Sequence, residues 1–76
     1  SGSGAVKSAL EAEASARSFL TARFPYAFAY VHKISYRRAD RLWEVHGSYR
    51  LPEWLYLKRF LVEVDADTGN IMGFEL

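Results

Sequence analysis

Seventy-six residues with a formal net charge of +1 make one small domain and leave no room for a second. There is no cysteine, which excludes disulfides and thiolate metal sites but says little about compartment. No apolar run approaches the ~20 residues of a membrane-spanning helix, and no signal peptide is visible.

One core of this size supplies about 3–5 kcal/mol of net stability. Five Phe, five Tyr and two Trp are the expected compensation, since each aromatic ring buries a large area. Ser1-Gly2-Ser3-Gly4 reads as a cloning linker, leaving residues 5–76 as a single domain. No initiator methionine precedes Ala5, which fits a domain excised from a longer protein. The chain has no glutamine and a single asparagine, Asn70. Scarce amides are one trait of thermophilic proteins. The excess of arginine over lysine fits a biased genome equally well. The net charge conceals an asymmetry. Residues 32–59 carry seven Lys/Arg against Asp40, Glu44 and Glu53, whereas residues 60–76 carry Glu63, Asp65, Asp67 and Glu75 and no base.

The first element is a predicted helix from Ala5 to Phe24, rich in Ala, Leu, Glu, Arg and Lys. Ala5, Ala9, Ala12, Ala16, Phe19 and Leu20 form one stripe at helical spacing, small enough to lie close on a sheet. Pro25 disfavours helical geometry at Phe24 and ends the helix there. Beyond it the pattern has period two. Phe28, Tyr30, His32, Ile34 and Tyr36 alternate along a first strand; Trp43, Val45, Gly47 and Tyr49 along a second; Tyr56, Lys58, Phe60, Val62 and Val64 along a third. A fourth strand carries either Ile71 and Gly73 or Met72, Phe74 and Leu76 inward, according to whether Val64 aligns with Ile71 or with Met72. The expected architecture is α+β: one helix packed on a four-stranded antiparallel meander, α-β-β-β-β.

Turn positions predict the register. A first hairpin centred between Ala39 and Asp40 sets Tyr36 opposite Trp43, Ile34 opposite Val45 and Tyr30 opposite Tyr49. A second, centred between Pro52 and Glu53, sets Tyr49 opposite Tyr56, Val45 opposite Phe60 and Trp43 opposite Val62. Each choice gathers the apolar side chains on one face. In the third turn Gly69 suits a left-handed position, and Asp65 and Asp67 read as turn residues bonding their own backbone.

This register predicts a basic row, Lys33–His46–Arg59, on the outer face of the sheet, with Arg37 and Arg50 on the same face. Like charges set directly opposite are destabilising, so the row points to an anionic partner; a solvated face relieved by Glu44 and Glu63 is the alternative. His32 and Lys58 would flank Gly47 on the inner face, as a small polar pocket or as a core edge from which the lysine snorkels. Trp54 is either an exposed interface anchor or a lid over the open end of the core. The two histidines are expected on opposite faces, unable to share a metal. No catalytic constellation and no phosphate-binding glycine loop is visible, and no cofactor is expected.

Residues 60–71, FLVEVDADTGNI, resemble the closing hairpin of PepSY domains, in which a strand ending Val-Asp-Ala meets a Thr-Gly turn and returns through an aliphatic residue. The helix and the Trp43-Glu44-Val45 strand stand in the same order, and the arrangement resembles cystatin-like folds more widely. The resemblance implies a non-catalytic module that binds or inhibits a protein partner, or a neighbouring domain of a longer chain. The chain lacks a cystatin inhibitory-loop signature, so cystatin-type inhibition is not implied. Trp43, Val45, Arg50, Pro52, Phe60, Val62, Val64-Asp65, Gly69 and Gly73-Phe74 are also similar in order to gas-vesicle accessory proteins of family O, which usually continue in a basic tail. The expected function is thus a non-enzymatic protein-binding or regulatory module. The alternative is an anion- or nucleic-acid-binding module using Lys33, Arg37, His46, Arg50 and Arg59; a pI near 8.0 is low for that class.

Overall fold

Ser8 starts the helix. Its backbone is extended, and its hydroxyl accepts a hydrogen bond from the Glu11 N–H at 3.3 Å, the Ser-x-x-Glu cap spacing. Helix α1 therefore spans Ala9–Arg23 in the computed structural model, which describes residues 8–75. The sequence reading overlooks this cap; the expected start at Ala5 lies outside the described residues. At the other end Phe24 leaves the helical conformation before Pro25, as expected, while its N–H still reaches the Leu20 carbonyl.

Four strands follow: β1 (Phe28–Arg37), β2 (Leu42–Arg50), β3 (Lys58–Asp65) and β4 (Ile71–Glu75). They form one antiparallel sheet in the order β1-β2-β3-β4. The α-β-β-β-β meander expected from three successive hairpins is the observed one. Ala12, Ala16 and Leu20 of α1 are buried against Val45, Tyr49, Phe60, Val62 and Val64. Phe19 and Trp43, expected in this core, pack at its margin, and Ala9 is exposed. Aromatic rings seal the end of the core: Phe24 stacks on Tyr49 at 4.9 Å, and Phe19 meets the ring of Phe74 edge-on at 5.0 Å.

Ala16 has no exposed surface. Ala16→Leu is therefore expected to overpack the helix–sheet interface and destabilise by about 1–3 kcal/mol in thermal melts. On an exposed helical face the same change would be close to neutral.

The register departs from expectation in three places, each with a local cause. In the first hairpin Tyr36↔Trp43 and Ile34↔Val45 pair as expected, but a bulge between Val31 and Lys33 leaves His32 over. Beyond it Ala29, not Tyr30, faces Tyr49, so Ala29 and Val31 turn inward and Phe28 and Tyr30 turn outward. In the second hairpin a turn does form at Leu51–Trp54, where the Trp54 N–H donates to the Leu51 carbonyl. The chain then runs unpaired through Leu55–Leu57, and pairing resumes two positions later than expected. Val45 faces Val62, Gly47 faces Phe60 and Trp43 faces Val64. A slip of two keeps every side chain on its expected face.

In the third hairpin both alternatives are realised in succession. Val64 pairs with Ile71; a second bulge follows, after which Val62 pairs with Phe74. Met72 is thereby left exposed and Phe74 turned toward the core, while Leu76 lies outside the described residues. Gly69 has φ 79°, and the Asp65 carboxylate accepts from the Asp67 N–H at 2.7 Å, as the turn chemistry predicted. Among the described residues no helix is long and apolar enough to cross a membrane.

Candidate functional site

The helix covers one face of the sheet and leaves the other open. This outer face has two chemically different ends. Toward the β1–β2 turn, Glu44 and Glu63 sit directly opposite each other, an unfavourable pair relieved by Arg37. The Arg37 guanidinium bonds the Glu44 carboxylate and lies 3.7 Å from Glu63 and 3.4 Å from Asp40. Arg37 is thus held within an acidic cluster rather than offered to an anion.

Toward the β2–β3 loop the face is basic and aromatic. Lys33 faces His46, as expected from the sequence. Arg59 does not continue that row: the two-residue slip places Leu61 opposite His46 and moves Arg59 opposite Ser48. His46 lies 3.6 Å from the Glu44 carboxylate, but among the described residues neither Lys33 nor Arg59 has an ion-pair partner. Arg50 is engaged locally. It donates to the Trp54 carbonyl at 3.3 Å and lies over the Phe28 ring at 5.1 Å, tying the loop to the strand before it.

The β1 bulge overturns two expectations about histidine. His32 is on the outer face with His46, not on the opposite one, and its Nε2 is hydrogen-bonded to Ser48 Oγ at 2.9 Å. His32 and Lys58 therefore do not flank Gly47 on the inner face as expected: the Phe60 ring lies against Gly47, and the Lys58 ammonium rests over the Trp54 ring at 5.1 Å. Among the described residues no cluster of three or more metal-ligating side chains occurs.

Trp54 folds back, with its ring 5.7 Å from that of Tyr49 and stacked on Tyr56 at 5.6 Å. It is a half-buried lid rather than a free anchor. Beneath it, burial pushes the Tyr49 phenol above its ordinary pKa, partly offset by the Arg23 guanidinium. The exposed large apolar residues include those after the lid and those flipped by the bulge. Leu55 is 100% exposed, Tyr56 58%, Leu57 52%, Phe28 49% and Tyr30 46%.

Two adjoining concavities result. One, of about 570 Å³, is lined by His32, His46, Ser48, Arg59, Leu61 and Glu75 among others. The other, of about 650 Å³, is lined by Tyr30, His32, Arg50, Leu55, Tyr56 and Leu57. His32 belongs to both, so the hollow that carries the polar side chains borders the apolar one. The sequence reading missed this apolar half. The available signal was the Leu55-Tyr56-Leu57 run, three large apolar residues immediately after a turn. No family model matches the chain, and no match is found among curated proteins or solved structures.

Proposed function

We propose that this chain is a non-enzymatic protein-binding or regulatory module of PepSY or cystatin-like type, with the outer sheet face as its binding surface. The observation that carries this reading is the contiguous exposed apolar set Tyr30, Leu55, Tyr56 and Leu57 beside the basic residues Arg50 and Arg59. An aromatic and aliphatic centre with an arginine rim is the composition of a protein interface, and clustered apolar exposure on a small domain marks such a site. The resemblance of residues 60–71 to the PepSY closing hairpin points the same way.

A second reading, an anion- or nucleic-acid-binding module, is favoured by Lys33 and Arg59, which have no ion-pair partner among the described residues, near exposed Phe28 and Tyr30. Panning a displayed library of random linear peptides separates the two. Peptides should be enriched on the wild-type chain and lose about tenfold or more in affinity on the Leu55→Ser/Leu57→Ser variant, since each leucine side chain buried on binding contributes ~1.5–3 kcal/mol. Failure to enrich any peptide, together with salt-steep binding of a labelled single-stranded oligonucleotide, would favour the second reading instead.

A further inference from the structure

We propose that the outer face selects one chemistry: a short acidic peptide segment that carries an aliphatic or aromatic side chain beside its carboxylate. This rests on the protein-binding reading above and specifies what the partner presents. The polar hollow holds the anion, and the adjoining apolar hollow holds the neighbouring side chain.

The charges of the hollow lead to this partner. Arg59 lines it, Lys33 stands opposite His46 at its side, and neither is neutralised by a described carboxylate. The carboxylates that face it are few. Glu75 stands at the β4 rim, opposite Leu61. Glu44 approaches His46 through Oε1 while its Oε2 is taken by Arg37. His32 is held in place by Ser48, a buried hydroxyl 6% exposed, which fixes one wall of the hollow. Tyr30 on the β1 side and Arg59 on the β3 side both stand opposite Ser48, in one row across the sheet. Neighbouring strands lie about 5 Å apart, so an extended peptide reaches both hollows within a few residues.

A peptide fits this surface better than a nucleic acid does. A phosphate backbone brings charge at every nucleotide, and the same face carries Glu44, Glu63 and Glu75. One isolated carboxylate reaches Arg59 without meeting the Glu44–Glu63 pair at the other end of the face, with Glu75 beside it at the rim. Leu55 and Leu57 set an aliphatic surface beside the Tyr30 and Tyr56 rings, a mixed lining that suits a peptide side chain.

The test uses peptides selected from the random linear library, measured by fluorescence anisotropy at low and physiological ionic strength. Enriched sequences should place Asp or Glu within a few residues of Leu, Ile, Phe or Trp. Arg59→Glu should weaken them about tenfold or more, and changing the acidic residue of the peptide to its amide should weaken wild-type binding while recovering part of the loss on Arg59→Glu, where the two carboxylates repel. Circular dichroism checks that the variant folds, and Arg59→Gln replaces it if it does not. If selected peptides lack acids and bind Arg59→Glu as well as wild type, yet are lost on Leu55→Ser/Leu57→Ser, the anion preference is wrong and the protein-binding reading stands. If no peptide is enriched, or a labelled oligothymidylate binds more tightly than any peptide, both are overturned.

Discussion

Phe60→Ala should bring the domain close to unfolding. Phe60 is buried, faces Gly47 across β2, and has its ring 6.2 Å from that of Tyr49. Removing such a ring costs the transfer free energy of its atoms and leaves a cavity the sheet cannot close, about 3–5 kcal/mol in all. A domain of this size has little more than that to lose. Urea unfolding in a stabilising osmolyte keeps enough folded population to measure the change. An unchanged midpoint would mean that β3 does not present Phe60, Val62 and Val64 inward.

The second large effect is expected at Gly47. A methyl group there would lie 2.1 Å from the Tyr30 carbonyl oxygen and 2.7 Å from Phe60 Cζ. The ring can shift, but the carbonyl belongs to β1 beside its bulge and moves only with the strand. Gly47→Ala should therefore reach at least the ~3 kcal/mol upper end of overpacking effects. Because the two sites touch, Gly47→Ala combined with Phe60→Ala should cost less than the sum of the two, by about 0.5–3 kcal/mol. Strict additivity in denaturant melts would show that the ring does not occupy the space above Gly47.

Both effects depend on register, and register is where local reading has least purchase. Side chains in a strand alternate with period two, so the slip of the second hairpin left Val45, Phe60 and Val62 on the face assigned from the sequence and changed only their partners. A bulge shifts the count by one. The His32 bulge exchanged the faces of Phe28 and Tyr30 with those of Ala29 and Val31, and moved His32 itself to the outer face. The Lys33–His46 pair lies on the turn side of that bulge and was placed correctly; Arg59 lies beyond the slip and was not.

The helix with its alanine face, the order of four strands, the Pro25 stop and the Asp65–Asn70 turn are legible in the residues alone. Each follows from a periodicity or a turn residue that acts over a few neighbours. The two bulges, the excursion of Leu55–Leu57 and the meeting of the two outer hollows at His32 emerge from long-range packing. Those depend on Trp54 leaving the ladder to pack on Tyr49, and on how closely β1 can approach Gly47. Contacts between residues distant in sequence settle such competition, and the period-two pattern carries no count of the residues a strand spends on it.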